Sequence, residues 1–358
     1  MTREFRIGNR LIDDSSPGYC IAEIGGTNHQ GSLERAKLMA RAAADAGFHA
    51  IKSQMRANEQ IFTKAYLAKS YDNSHSFGAT YGEHRAALEF SADQHRELKA
   101  YAESRGLDYI CTAFDPWSAD TLAEIGVAAI KIASGDCTNT PLLAHAAGLG
   151  LPMIVSTGAA TMDDVDRAAG IMVCQPREDH PIGGNRMALL ACTAAYPCPA
   201  ELLNLRTIET YRERYPRFVI GLSTHFSGPQ PPSWAYILGA RIFEVHITLN
   251  RAAKGTDNAF SLEMPGMRAC IRDLERVRLA MGDGVKRVLP EEAGAIQKMG
   301  KSIVAARPIR AGDVIGSEDL ALKSPGGGLP PYRLAEVVGT RATRTYFEDE
   351  AIEGPVVV

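Results

Sequence analysis

The sequence has no surplus of either charge. Its 39 Lys and Arg stand against 42 Asp and Glu, a formal net charge of −3. That balance excludes the basic footprint of a nucleic-acid binder and the polybasic patch of a membrane-surface protein. There is no uninterrupted apolar run long enough to span a bilayer, and the opening MTREFRIGNRLIDDSSPGY lacks the apolar stretch of a secretory signal. Cysteine is sparse and odd in number. The seven residues match no zinc-ligand spacing, the closest pair being Cys192 and Cys198. Several sit inside apolar runs, so the expectation is reduced core thiols in a cytoplasmic protein rather than a disulfide framework. The first strand-to-helix turn, EIGGTNHQGS, is not the G-x-G-x-x-G dinucleotide fingerprint. Internal repeats and low-complexity segments are absent as well.

What is present is ordinary globular composition, 45% hydrophobic and 23% charged, arranged in a regular alternation. Eight short β-rich runs recur: GYCIAEI, HAIKSQ, DYICTAF, VAAIKIASG, PMIVSTG, MALLACTAAY, RFVIGLSTH and RIFEVHITL. They are nearly continuously apolar, as in strands buried on both faces. Between them lie helical segments such as SLERAKLMARAAADAG, with Ser32 as N-cap and Gly47 as terminator, and SADQHRELKAYAESRG, with Ser91 and Gly106 in those roles. Strict β/α alternation implies a parallel sheet with right-handed crossovers. Eight such units predict a (β/α)8 TIM barrel over residues 1–282, with a doubly wound open sheet as the alternative. Residues 283–300 read as a linker. Residues 301–358 carry short strands, tight Gly/Pro turns and the glycines 326–328, and predict a small β-rich second domain. The stretch 55–90 reads as a long structureless loop, which on a barrel is usually functional.

In a parallel barrel the chemistry sits at the C-terminal strand ends. Read in order, those ends offer Glu23; Lys52 and Gln54; Thr112; Lys131, Ser134 and Asp136; Ser156 and Thr157; Thr193 and Tyr196; Ser223 and His225; and His246. A buried polar group costs free energy unless it is paired, so one such group on every strand argues for a site rather than for packing. Lys52 and Lys131 lie inside apolar runs. Each would be resolved by a doubly charged anion such as a phosphate, or by pairing with Glu23 or Asp136. His225 and His246 end adjacent strands and could share a divalent cation with waters and a carboxylate. Alternatively, one is a satisfied core residue and the other an acid–base group.

In chain order, AEIGGTNHQG, IKSQ, KIASGD, VSTGAAT, CTAAYPCP, IGLSTH, VHITLNR and GTDNAFSLE together resemble the sialic acid synthase family, and the tail from about residue 301 resembles that family's antifreeze-like (SAF) domain. The resemblance spans nearly the whole chain. It implies a transferase that condenses phosphoenolpyruvate with a sugar aldehyde to a 3-deoxy-2-keto, nonulosonic-type acid, releasing phosphate. It implies that Lys52, Thr112, Lys131, Ser134, Ser156 and Ser223 cradle phosphoenolpyruvate. His225 and His246 would bind a divalent metal, Mn²⁺ first, with Mg²⁺ or Co²⁺ as alternatives. Glu23, Gln54, Asp136, Tyr196 and Asp257 would face the acceptor or the metal, with Glu23 or Asp136 stabilising charge in the reaction. It further implies a homodimer in which the SAF domain crosses to the partner's barrel.

The sequence departs from the family's pattern in four places. GGTNH is one residue longer than the family's first motif, and SGD stands where SGE is frequent. Ala194 replaces a polar residue, and Ser324, in LKSPGGG, stands where sialic acid synthases carry an arginine that reaches the partner's sugar. A serine supplies no guanidinium fork, so the expected acceptor is not N-acetylmannosamine itself. Two other readings compete: a 3-deoxy-octulosonate or heptulosonate synthase taking a shorter aldose, and a non-catalytic sugar-binding barrel.

Overall fold

The computed structural model describes residues 3–173 and 187–353. Cys174 and residues 354–358 of the expected second domain lie outside that range. The six described cysteines are free thiols, and all but Cys192 are buried. No helix among the described residues is long and apolar enough to cross a membrane.

The chain opens with an antiparallel hairpin, β1 (Glu4–Ile7) and β2 (Arg10–Asp13). Eight strands follow: β3 (Tyr19–Glu23), β4 (Ala50–Met55), β5 (Asp108–Ala113), β6 (Ala129–Ile132), β7 (Met153–Ser156), β8 (Met187–Cys192), β9 (Val219–Thr224) and β10 (Ile242–His246). They pair in parallel and close into one barrel, β10 returning to β3. The predicted (β/α)8 architecture is therefore the observed one, and the open sheet is excluded by the closing β10–β3 ladder.

Alternation along each strand sorts the side chains. Inward-facing Ile21, Ile110, Ile154, Leu190 and Ile242 form one apolar cluster inside the barrel. The hairpin, which the sequence did not reveal, contributes Phe5, Ile7 and Ile12 to the same cluster. Outward-facing residues such as Ile51, Cys111, Val155 and Phe243 pack with the helices in a second, larger cluster. Barrel interiors are filled rather than open, so the lower layers leave the C-terminal end as the place for a cavity.

The helix caps are those the sequence indicated. Ser32 accepts from Arg35 N at the start of Leu33–Ala46, which ends at Gly47 in the left-handed region (φ 94°). Ser91 and Gln94 form a capping box for Ala92–Ser104. The stretch expected to be structureless, 55–90, contains three short helices, Asn58–Ile61, Lys64–Leu67 and Tyr81–Ala86. Helices of one turn or so show no apolar periodicity, which is why pattern reading misses them. Tyr81 sits at the centre of this segment, with edge contacts to Phe62, Tyr66 and Tyr71.

The chain divides into two compact units, 1–282 and 283–358. In the second, β11 (Ser302–Ala305) pairs antiparallel with β12 (Leu320–Lys323). Its core is built from Ile303, Ile309, Ile315, Val337, Tyr346 and Ile352. Residues 283–300 group with this unit, and Gly326 N donates to Gln297 O across it.

Candidate active site

Just above the apolar interior layers, each strand turns one polar side chain into the barrel: Glu23 (β3), Lys52 (β4), Thr112 (β5), Lys131 (β6), Ser156 (β7), Cys192 (β8), Ser223 (β9) and Glu244 (β10). Strand register makes them a ring. Glu23 is opposite Lys52, Thr112 opposite Lys131, Cys192 opposite Ser223, and Ser223 opposite Glu244. All eight line a single cavity of about 270 Å³. Gln54, Ser134, Tyr196, His225, His246 and Asp257 complete its polar wall, and Phe114 supplies an aromatic face.

The ring's charges compensate one another. Lys52 Nζ lies 2.5 Å from Glu23 Oε2 and 3.6 Å from Glu244 Oε1, and donates to Thr112 Oγ1 at 2.8 Å. Lys131 Nζ donates to Ile132 O at 2.8 Å, and its nearest carboxylate oxygen is Glu244 Oε2, 3.9 Å away. Lys52 thus takes the pairing with Glu23 that sequence allowed, whereas Lys131 pairs with Glu244 rather than Asp136. The two lysines titrate differently as a result. Burial opposes the charge on Lys52, but Glu23 and Glu244 more than offset it and raise its pKa. For Lys131 burial wins over the more distant Glu244, and repulsion from Lys52 adds to it, so the pKa is lowered. Burial alone would raise Glu244, yet Lys131 and then Lys52 hold it low.

Four buried polar atoms that face this ring have no hydrogen-bond partner, Glu23 Oε2, Ser156 Oγ, Glu244 Oε2 and His246 Nδ1, and of these Glu23 Oε2 has Lys52 Nζ as a close ion-pair partner. Buried polar groups are nearly always satisfied. Such a concentration in one cavity is the donor and acceptor set that a polar ligand would meet.

His225 and His246 stand with ring centroids 5.2 Å apart. His225 Nδ1 lies 3.0 Å from Thr193 O, which fixes Nδ1 as the protonated nitrogen and leaves Nε2 as a free lone pair. Burial, reinforced by His246, pushes His225 down to about 4, so its imidazole is neutral and ligand-competent near neutral pH. Together with the unpartnered Nδ1 of His246, this arrangement fits a divalent cation. Among the described residues no cluster of three or more His, Cys, Asp or Glu side chains could hold one. The other positions would therefore belong to water and substrate. Tyr196 packs against His225 with the rings tilted by 44° and their centroids 3.9 Å apart, and it is 56% exposed, at the mouth of the cavity.

Every site residue expected from sequence lines the cavity except Asp136. The three-residue turn Ser134–Asp136 keeps Ser134 on the wall, but Asp136 accepts from Asn139 Nδ2 at 3.0 Å instead. Thr157 and Thr193, two further rim candidates, are occupied by backbone carbonyls of Leu190 and Leu202. In the lengthened first motif, Asn28 is fully buried and donates to Ile247 O and Ser261 Oγ. His29 stacks on Phe90. Both pin loops rather than face the cavity. Sequence reading missed Glu244, Cys192 and Phe114. The signal for Glu244 was available, since it lies two residues before His246 on one strand and must share its face.

Residues 39–286 match the model of the NeuB family and residues 300–355 that of the SAF domain. The chain is 37% identical over 344 residues to N-acetylneuraminate-9-phosphate synthase of Homo sapiens, covering 96% of this chain and 93% of the relative. It is 32% identical over 333 residues to N,N'-diacetyllegionaminic acid synthase of Campylobacter jejuni, covering 93% and 98%. Among solved structures it resembles the N-acetylneuraminic acid (sialic acid) synthetase of Leptospira borgpetersenii, crystallised with citrate, at a TM-score of 0.71 and 31% identity, covering 83% of this chain and 96% of that one.

Proposed function

The chain belongs to the NeuB family, and from that premise we propose that its barrel joins phosphoenolpyruvate to a sugar aldehyde, giving a 3-deoxy-2-keto acid of the nonulosonic type and inorganic phosphate. The observation that carries this reading is the ring itself, in which two buried lysines and unpartnered polar atoms from several strands face one cavity. Phosphoenolpyruvate brings a phosphate and a carboxylate on three carbons. Lys52 and Lys131, with Thr112, Ser134, Ser156 and Ser223, offer charge-assisted and neutral hydrogen bonds at that scale.

Held there, C3 of phosphoenolpyruvate attacks the aldehyde carbon. A C–C bond forms and positive charge develops at C2. Glu23, fixed between Lys52 and Gln54, stabilises that charge. The aldehyde oxygen takes the carbonyl electron pair and a proton to become a hydroxyl, while water adds to C2 and gives up a proton that balances it. The tetrahedral intermediate then expels phosphate by C–O cleavage, leaving the ketone. Fixing both reactants in one cavity supplies much of the rate. Asp136 is assigned a lesser part because it does not line the cavity. His225 and His246 would hold a divalent cation, Mn²⁺ ahead of Mg²⁺ or Co²⁺, which when bound supplies Lewis-acid polarisation of the aldehyde oxygen.

Residues 1–282 are assigned as the synthase domain, 283–300 as the linker and 301–358 as the SAF domain. Exchange of SAF domains in a homodimer is supported by the exposed apolar side chains of Val285, Val288 and Met299, at 62%, 68% and 68% exposure. Ser324 accepts from Lys301 Nζ and donates to Gly300 O, both at 2.9 Å. It is folded into its own domain and does not reach outward as an arginine would. That favours an acceptor substituted differently from N-acetylmannosamine. A cytoplasmic location is proposed from the sparse free thiols and the proposed use of phosphoenolpyruvate. A shorter aldose is not favoured, because the two relatives described above, which match nearly end to end, are synthases of N-acetylneuraminate-9-phosphate and N,N'-diacetyllegionaminic acid.

The test is phosphate release from phosphoenolpyruvate, with and without Mn²⁺, on addition of an aldehyde panel. The expected result is release that requires both cation and a hexosamine-derived aldehyde. No release across the panel overturns the reading.

A further inference from the structure

We propose that Arg56 is a positioning residue for the condensation: it stands behind the cavity wall, fixes the side-chain amide of Gln54 and backs the ring of Phe114, and through Gln54 it sets the carboxylate of Glu23. The inference rests on the function proposed above.

Arg56 follows the last residue of β4 and is itself buried, 9% exposed. It is not part of the cavity lining, yet it touches two residues that are. One Nη donates to Gln54 Oε1. Gln54 Nε2 donates in turn to Glu23 Oε1 at 2.8 Å. An amide can accept only through its oxygen and donate only through its nitrogen. With the oxygen held by a guanidinium, the NH₂ must face Glu23. Glu23 Oε1 also receives Gly25 N, and Oε2 faces Lys52. The flat guanidinium lies 4.0 Å from the centroid of Phe114, a cation–π arrangement that keeps this ring against the wall.

Arg56 is held in place from behind. Glu89 Oε1 lies 3.4 Å from its Nη1, and the backbone N–H of Arg56 also donates to Glu89. The next residue, Ala57, donates its N–H to Asp115 Oδ2 at 2.8 Å. A purely structural account would make Arg56 the counter-charge of buried Glu89. Arg85, at 2.8 Å from the same oxygen, shares that role, although Arg56 is the guanidinium that opposes the burial of Glu89, so a double variant is needed to separate neutralisation from positioning. Lysine carries the charge but not the planar fork that reaches Gln54 and Glu89 while stacking on Phe114.

The experiment compares wild type with Arg56→Lys, Arg56→Ala and the double variant Arg56→Ala/Glu89→Gln. Steady-state kinetics are measured in both substrates, with the Kd of phosphoenolpyruvate from calorimetry and a thermal melt as a check on folding. The expected result for Arg56→Lys is a kcat lower by about tenfold or more, as small misplacements of reacting groups cost, with Kd and melting temperature unchanged. The double variant is expected to stay as slow as Arg56→Ala. Added methylguanidinium is expected to restore part of the activity of Arg56→Ala.

Undiminished kcat in Arg56→Lys overturns the proposal, as does a loss that follows weaker phosphoenolpyruvate binding. Recovery in the double variant would reduce Arg56 to a charge neutraliser and also overturns it. If wild type turns over the panel and Arg56→Lys matches it, this inference alone fails. Wild type silent across the panel removes the reaction, and this role with it.

Discussion

His246, the last residue of β10, is the register partner of Glu23, the last residue of β3. Barrel closure therefore brings together a ring nitrogen without a partner and the carboxylate that pairs with Lys52. Residues more than two hundred positions apart become neighbours because the eighth strand hydrogen-bonds to the first. The acidic and the cation-binding halves of the proposed chemistry meet at that seam.

Glu23 and Asp136 separate the two carboxylate roles. Glu23→Gln keeps the shape of the side chain and removes the charge that faces the developing positive centre. It is expected to lower kcat by about a hundredfold or more, the scale of losing one electrostatic stabiliser. Asp136→Asn removes a carboxylate that sits off the cavity and bonds Asn139. The expected loss is less than about fivefold, within what second-order electrostatics through a protein edge delivers. Side-by-side kcat values decide it, and an equal loss in both variants would return Asp136 to the reacting centre.

The opposite shifts of the two lysines give a pH dependence. Lys131 is lowered by burial while Lys52 is raised by Glu23 and Glu244. As pH rises, Lys131 loses its proton first, and the anion site loses charge while Lys52 remains an ammonium. Phosphoenolpyruvate binds the charged form, so its affinity is expected to fall on the alkaline side through the depressed titration of Lys131. The Lys131→Arg variant carries a guanidinium that stays charged throughout and should move that limb to higher pH. Calorimetric Kd values across the alkaline range check it, and an unmoved limb would assign the titration elsewhere.

Much of this site was legible in the sequence, and the reason is period. Polar residues within apolar runs mark strand ends, so strand alternation alone places Lys52, Lys131, Ser156, Ser223 and His246 on one rim. Glu244 was harder to place because it lies inside β10 rather than at its end, and an acid inside an apolar run also reads as a paired core residue. Asp136 lies off the cavity lining for a different reason. It follows the strand by four residues, and the direction of a side chain in a tight turn is set by local hydrogen bonds, not by strand alternation. The hairpin β1–β2 and the short helices in 55–90 were hidden because four-residue elements are too short to show a pattern. Arg56 carries no motif at all, and its position follows from tertiary contacts with Glu89, Gln54 and Phe114.

The histidine pair should be separable from the anion site. His225→Ala and His246→Ala each remove one of two imidazoles that fit a divalent cation, and chelation removes the ion itself. Each treatment is expected to abolish cation-dependent turnover while phosphoenolpyruvate still binds, because the lysines and hydroxyls are untouched. Metal content by mass spectrometry and Kd by calorimetry are the readouts. Full activity in a chelated, metal-free sample would reduce the two rings to packing against Phe260, which both already contact.

Ser324 tests the acceptor. Its hydroxyl is committed to Lys301 and Gly300. Ser324→Arg replaces it with a long fork that suits polar groups on a sugar. If the SAF domain meets a partner's cavity, this change should shift the kcat/KM ratio toward N-acetylmannosamine by about tenfold, the value of one good polar contact. An unchanged ratio across the aldehyde panel would detach Ser324 from acceptor choice.

Glu244 supplies the last test, because the ring's balance makes opposite demands on stability and binding. It faces Lys131 and Lys52 at once. Glu244→Gln leaves Lys131 without its nearest carboxylate while keeping the volume. Removing one member of a buried pair costs about 3–5 kcal/mol, so the free variant should melt at a lower temperature. The same change makes the cavity more positive. Phosphoenolpyruvate then replaces the missing counter-charge instead of competing with it, and it should bind the variant more tightly than wild type. The ligand-induced rise in melting temperature is therefore expected to be larger in Glu244→Gln, since stabilisation grows with the logarithm of ligand over Kd. A variant that is less stable and also binds more weakly would mean that Glu244 orders the lysines rather than balances them, and the ring's electrostatic account would fail.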